Sequence, residues 1–245
     1  MNIKINKEQA DYLFSREKLR ELCGSRLYGT NFDDSDFDYL VFYRPFPDLE
    51  DVYASRHQFQ YDDIDNNVHY NFTTIPQFWQ NLLSGDATIN ADIALFSGLG
   101  DQGWDENDIL NSCRTYNVIK AYLGFAKRDI KDLKQGKGRN KKFHIIRGLY
   151  CAESLMDNRL PELSDIGKIT SEYWESPSGI RWQITADTLT VHESDLRNRC
   201  NAMFNSGELT MYPKEPLKGI DIGPGPEGEL IKMYIDALNI REFKY

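Results

Sequence analysis

Between Phe37 and Tyr43 every residue except Asp38 is apolar or aromatic, with Phe37, Tyr39, Val41, Phe42 and Tyr43 crowded into seven positions. Aromatic and β-branched side chains suit a pleated, buried surface, so the run predicts a strand. Pro45 and Pro47 stop it. From Asn67 to Thr74 the pattern alternates, with Val68, Tyr70 and Phe72 between Asn67, His69 and Asn71. Period two predicts a strand whose apolar set faces the core and whose polar set lies on the opposite, open face. Upstream, residues 7–18 predict a helix, and Leu19 to Cys23 a short buried strand leading into Gly24.

Behind this strand-rich front the pattern turns helical. Phe78, Trp79, Leu82 and Leu83 fall at helical spacing after Pro76, and Ser84-Gly85-Asp86 closes that segment. Further helices are expected at Ile89 to Phe96, Tyr116 to Leu133 and Lys141 to Asp157, the last with Ile145, Leu149, Ala152 and Leu155 in one stripe. Past Pro161 the signals fade. Trp174 to Val191 reads as a hairpin or an irregular cover, within an irregular stretch of about 165–225. Gly223-Pro224-Gly225-Pro226 breaks the chain before a last helix at Glu227 to Leu238. Strands first and helices behind predict an α+β protein, a core at 1–110 and a mainly helical region at 111–245.

Composition narrows the class. With 245 residues, 40% hydrophobic and 27% charged, the chain has an ordinary globular balance. No run approaches the roughly 18 apolar residues of a membrane span, and the polar start, Met1 to Lys7, lacks the apolar segment of a secretory signal; the expectation is a cytoplasmic protein without membrane partners. Cys23, Cys113, Cys151 and Cys200 show no C-x-x-C spacing, so they read as reduced, buried thiols rather than a zinc or disulfide framework. A net charge of -9 argues against a general nucleic-acid coat. Lys127 to Arg147 departs from that, with nine Lys or Arg against two Asp. One basic segment on an acidic chain suits local recognition of phosphates.

The candidate chemistry lies between Gly24 and Asp38. Asp36 and Asp38 are two apart at the start of a strand, so they project from one face. Carboxylates that close repel one another unless a cation lies between them; a hard divalent ion, magnesium or manganese, satisfies both. Gly24-Ser25, at the end of the preceding strand, lets backbone amides approach phosphate oxygens, and Ser25 adds a hydroxyl. A solvated Asp-rich turn is the plain alternative. A calcium loop counted from Asp34 fails, because Tyr39 and Pro45 stand where glycine and glutamate belong. A phosphate cradle beside a two-carboxylate site is what transfer of a nucleotide from a nucleoside triphosphate requires.

Gly-Ser followed after ten residues by Asp-x-Asp resembles the signature of the DNA polymerase β-type nucleotidyltransferases. Gly24-Ser25-Arg26-Leu27-Tyr28-Gly29-Thr30 with Ser35-Asp36-Phe37-Asp38 is similar to their bacterial and phage branch, the RNA-ligase-associated, RNA-repair nucleotidyltransferases. Phe78 to Ala87, Asn90 to Phe96 and Lys142 to Leu149, with its His-x-x-Arg step, also resemble that branch. The resemblance covers roughly residues 18 to 160 and implies a small mixed sheet backed by helices, a bound NTP and two magnesium ions. It makes Asp36 and Asp38 metal ligands and sets Gly24 and Ser25 on the phosphates. The superfamily carries a third carboxylate on a neighbouring strand, where this chain offers Asn67, His69 and Asn71. Among Asp62, Asp63 and Asp65 just upstream, Asp65 is the expected third acid, with activation of the acceptor by His69 as the alternative.

Secondary candidates follow. His144 and Arg147, at i and i+3, share a helix face and are expected on the triphosphate or the acceptor's phosphates; Arg26 and Tyr28 are candidates for phosphate or base. Lys127, Arg128, Lys131 and Lys134, alternating with Asp129 and Asp132, read as an exposed helix surface, and His192 as a surface residue. Tyr173, Trp174 and Trp182 line an acceptor cleft or cover the core. The expected activity is transfer of an NMP from an NTP to a hydroxyl of an RNA or DNA end, a tRNA or a protein, releasing pyrophosphate. A nucleotide-binding regulatory module of the same fold is the alternative, and a toxin-like or phage-encoded enzyme that modifies host tRNA or protein a third reading.

Overall fold

A computed structural model describes residues 3–29, 31, 33, 35–44, 59–85, 88–97, 105–137, 141–166, 173–175 and 181–211; the helix expected at Glu227 to Leu238 lies outside them. The chain divides into two units, residues 1–81, 92–108 and 214–245 in the first, and residues 82–91 and 109–213 in the second.

The first unit holds β1 (Ile3–Lys4), α1 (Lys7–Phe14), β2 (Glu17–Cys23), the single turn α2 (Gly24–Leu27), β3 (Phe37–Tyr43), β4 (Phe59–Asp63) and β5 (Val68–Thr73). The strands form a small mixed sheet in the order β1-β4-β5-β3-β2. β1–β4 and β3–β5 are parallel, β2–β3 and β4–β5 antiparallel. The α+β expectation therefore holds. The first helix is shorter than 7–18, because Glu17 already pairs with Tyr43 in the β2–β3 ladder and Arg44 N–H donates to the Arg16 carbonyl at 3.0 Å. β4 has no counterpart among the expected elements. At the head of α1, the Asn6 side chain accepts from Gln9 N–H at 2.9 Å while Gln9 accepts from Asn6 N–H at 3.0 Å, a reciprocal cap worth about 1 kcal/mol.

Period two gives the sheet two different faces. One buries Val41, Tyr43 and Phe72 against Ala10 and Leu13 of α1, with Tyr39, Phe59, Tyr61 and Tyr70 packed around them. Each large apolar side chain fully buried there contributes about 1.5–3 kcal/mol. On the other face Leu40 and Phe42 are buried, Phe42 edge-on to Phe78 at 5.2 Å. Phe78 belongs to α3 (Ile75–Ser84), which α4 (Thr88–Phe96) and α5 (Glu106–Cys113) follow. The far end of this second face is polar and carries the site.

The second unit is built on α6 (Tyr116–Lys134), α7 (Lys141–Met156) and α9 (Ala186–Asn205), with the short α8 (Leu163–Ile166) and a ribbon of β6 (Tyr173–Glu175) and β7 (Arg181–Gln183). Gly148 lets α7 approach α6: a methyl group there would lie 3.1 Å from the Tyr122 carbonyl oxygen. Three expectations are corrected here. Helix α9 occupies residues expected to be hairpin or cover, started by the Thr185 side chain accepting from Thr188 N–H at 3.1 Å. His192, expected on the surface, is buried on α9, 3.7 Å from Glu153. Asp129, expected on an exposed helix face, is buried and paired with Lys141 at 2.9 Å; a buried carboxylate needs such a partner. All four cysteines are free and buried, as expected. Among the described residues no helix is long and apolar enough to cross a membrane.

Candidate functional site

β2 ends in the extended backbone of Cys23, and Gly24 turns the chain with φ +68°. Glycine adopts that conformation without a Cβ penalty. Space demands glycine too: a Cβ at 24 would overlap Asp38 Oδ2 and lie 3.2 Å from Asp38 Cγ. The backbone of the β2–α2 step thus rests directly on a carboxyl group. Ser25 follows, half-buried, in α2.

Asp38 stands in a row that crosses four strands. Cys23 of β2 pairs with Asp38 of β3, Asp38 with His69 of β5, and His69 with Asp62 of β4. Residues so paired project to one face. Asp36, just before β3, joins that face, its Oδ2 lying 3.3 Å from His69 Nε2. Asp36 and Asp38 therefore share a side of the sheet. The other imidazole nitrogen, Nδ1, contacts Asp62 Oδ1 at 2.8 Å, and Asp62 is further held by Lys4 Nζ at 2.9 Å and Gln60 Nε2 at 3.1 Å.

The electrostatics follow from this layout. Burial, then the charge of Asp36, raises the Asp38 carboxyl above its ordinary range, against the opposing pull of His69. The hydrogen bond to Asp62 raises His69, and the bonds from His69 and Lys4 lower Asp62. On the same face, one row further along β2, burial pushes Glu21 up to about 7. The buried Cys23 thiol is pushed up as well, by burial and then by Asp38, and donates to the Asp38 carbonyl at 3.4 Å.

The remaining sequence candidates fall as follows. Arg26 grips the loop that carries Asp36: Nε donates to the Asp36 carbonyl at 3.0 Å, Nη2 to the Ser35 carbonyl at 2.6 Å, and the guanidinium lies 3.6 Å from the centre of the Phe37 ring. Tyr28, closing α2, packs edge-on to Phe96 at 6.0 Å. Asp65 is exposed in the turn 64–67 between β4 and β5; of the three aspartates upstream of β5, the one in contact with His69 is Asp62. His144 and Arg147 lie on α7 in the second unit. Burial and then Arg147 lower His144 to about 4, and the buried Arg147 guanidinium lies 5.4 Å from the Phe125 ring. The side chains of Tyr173, Trp174 and Trp182 lie outside the described residues.

Sequence reasoning names Asp62 beside Asp63 and Asp65 but prefers Asp65, because it lacks β4 and so the register. The signal was present: Phe59-Gln60-Tyr61-Asp62 alternates, and Ile64-Asp65-Asn66-Asn67 separates it from a second alternating run, the signature of a hairpin. Among the described residues no three His, Cys, Asp or Glu side chains gather into a group that could hold a metal ion. What the described residues do bring together is Asp36 and His69 in contact, with Asp38 in the same row beside the Gly24 turn. Comparison of the sequence with protein-family models finds no match, and comparison with curated proteins finds none either.

Proposed function

We propose that the chain is a nucleotidyltransferase that moves an NMP from an NTP to a hydroxyl acceptor, with the signature resemblance and the Gly24–Asp38 packing as its two supports. The observation that carries this reading is Gly24 seated against the Asp38 carboxyl, with Asp36 on the same side of the sheet. The donor set fits a hard divalent ion: two carboxylates on one face, one raised by burial and by its neighbour's charge, are relieved by a shared cation. Asp36 and Asp38 would hold magnesium or manganese. When bound, the ions neutralise the triphosphate and ease ionisation of the acceptor hydroxyl.

The chain's own groups do the rest. Gly24, lacking a side chain, leaves the backbone amides of the turn open to phosphate oxygens, and the Ser25 hydroxyl donates to the same group. Arg26 keeps the Ser35–Asp36 backbone in place, so Asp36 is presented in one geometry. The acceptor oxygen attacks the α-phosphorus, the bond to the β-phosphate bridging oxygen breaks, and pyrophosphate leaves with its electron pair. The acceptor's proton passes to solvent or to the His69–Asp62 pair. Tyr28 is the proposed contact of the base, and residues 1–110 the proposed core. The acceptor class is an RNA or DNA end, a tRNA or a protein hydroxyl, and the NTP pool it draws on is cytoplasmic.

One observation favours a second reading. The residue opposite Asp38 on β5 is His69, not a carboxylate, as in a module that binds nucleotide without turnover. Incubation with magnesium or manganese, each labelled NTP and a mixed RNA and protein pool separates the two. Label transfer that disappears in Asp36→Ala and Asp38→Ala supports the enzyme. NTP binding with no transfer under any metal favours the module.

A further inference from the structure

The sheet carries a second row on the face opposite Asp38 and His69. Leu22 pairs with Tyr39, Tyr39 with Tyr70 and Tyr70 with Tyr61, so tyrosines of β3, β5 and β4 stand side by side there. Their rings run nearly parallel, Tyr39 to Tyr70 at 5.7 Å and 17°, Tyr61 to Tyr70 at 6.2 Å and 14°. Phe37 continues the series against Tyr39 at 6.4 Å and 6°. Helix α1 closes over Val41, Tyr43 and Phe72 and reaches Tyr70 through Phe14, edge-on at 4.9 Å. Beyond its reach Tyr39, Tyr61 and Tyr70 stay half-buried, and Phe37 is 36% exposed. Aromatic side chains left open to solvent in one contiguous row mark an interaction surface.

The charge around the row narrows what it takes. Along β2 and the residue before it the border is basic, with Arg16, Lys18 and Arg20 against Glu17 alone. Glu17 accepts from Arg20 at 3.1 and 2.6 Å and so holds the guanidinium 5.7 Å from the Tyr39 ring centre and 5.3 Å from that of Tyr70. Asp63 and Asp65 fall at the opposite border, at the end of β4 and in the turn after it. Rings beside a line of cations suit one unpaired polynucleotide strand: any base has a π-face to stack, and the phosphates pair with the cations. A double helix keeps its bases inside and offers such rings nothing to stack on.

We propose that this face of the sheet binds a single-stranded polynucleotide, with bases on Phe37, Tyr39, Tyr61 and Tyr70 and phosphates along Arg16, Lys18 and Arg20. The inference deepens the transfer reading by choosing its acceptor, and rests on that reading for the reaction alone. Phe37 stands between Asp36 and Asp38 in the chain. The row therefore begins at the end of β3 that carries both aspartates, and a strand end held on it passes round that edge to reach them.

The test uses the full chain in chelator and without NTP, so the aspartate pair plays no part. Short labelled RNA and DNA single strands and the matching duplexes are titrated by fluorescence anisotropy at several salt concentrations. The expected result is tighter binding of a single strand, RNA or DNA, than of its duplex. Tyr61→Leu and Phe37→Leu keep an apolar side chain but remove the aromatic plane, and weaken binding about 5–100-fold at every salt concentration. Arg20→Gln lowers the salt slope by about 0.7, the value of one phosphate contact. Lys127→Gln/Lys131→Gln, on the exposed side of α6, changes neither. Circular dichroism and melting check folding; if Tyr61→Leu does not fold, Phe37→Leu decides. Equal affinity for duplex, full binding in the folded leucine variants, or no binding at all overturns the inference. Strand binding that persists in a chain transferring no label under any metal keeps it and removes the enzyme reading; transfer without strand binding does the reverse.

Discussion

Gly24→Ala is the sharpest perturbation of the site, because two separate penalties meet at one atom. The first is conformational. An alanine held at φ +68° occupies the left-handed region, at about 1–2 kcal/mol. The second is steric. The new methyl overlaps the Asp38 carboxyl, which must swing away or push the β2–α2 turn outward; overpacking of that kind costs about 1–3 kcal/mol. Gly29 supplies the control. It has φ +66° but no described atom within 4 Å of its would-be Cβ, so Gly29→Ala meets only the first penalty. Urea unfolding at pH 7 in chelator should place Gly24→Ala about 2–5 kcal/mol below wild type and Gly29→Ala about 1–2 kcal/mol below. In Gly24→Ala/Asp38→Ala the steric part disappears, giving a coupling of about 1–3 kcal/mol in a double-mutant cycle. Transfer should fall by about 100-fold in Gly24→Ala, the usual consequence of a misplacement near 1 Å, and only by a few-fold in Gly29→Ala. Equal unfolding penalties for the two glycines, or zero coupling with position 38, would refute the claim that the turn rests on the carboxylate.

Ser25→Ala should weaken NTP binding by about tenfold, the loss of one hydrogen bond to a charged group, a larger effect than on folding; unaltered affinity in a calorimetric titration removes Ser25 from the site. Arg26→Lys should lower Mn2+ affinity as much as Arg26→Ala does, because a single ammonium cannot reproduce the paired bonds to Ser35 and Asp36; full rescue by lysine means charge alone matters. Glu21 offers a pH test. Its folded-state pKa, raised from 4.5 to about 7, exceeds the unfolded value, so the folded form binds more protons and stability falls as pH rises across that window. Glu21→Gln should flatten that slope and stabilise the protein at pH 8 by about 1–2 kcal/mol, the full linkage value being reduced by partial exposure. An unchanged slope between pH 5 and 8 sinks that assignment.

How far these features could be read from residues alone depends on whether their partners are near in the chain. Gly24, Asp36 and Asp38 fall within one contiguous motif. The alternation around them is enough to put both carboxylates on one face, where the structure has them. Strand β3 was equally legible, since aromatic and β-branched residues leave little alternative. Two other features were harder. Helix α9 carries many polar residues, and its buried positions, Leu189, His192, Glu193, Leu196, Cys200 and Met203, include a histidine and a glutamate that read as exposed until their neighbours are known. Asp62 is the more instructive case. Its strand is five residues long and ends in two aspartates, which strands disfavour and which weaken the alternation that begins at Phe59. What makes it a strand is pairing: β5 on one side and β1, from the start of the chain, on the other. The row from Cys23 through Asp38 and His69 to Asp62 is a property of register across four strands. A shift of one residue in β4 would turn Asp62 to the aromatic face and bring Asp63 or Tyr61 to His69. Spacing along the chain therefore nominates the carboxylates, while register decides which of them meets His69. That is why, of the upstream aspartates, it is Asp62, three residues from the expected Asp65, that meets the Nδ1 of His69.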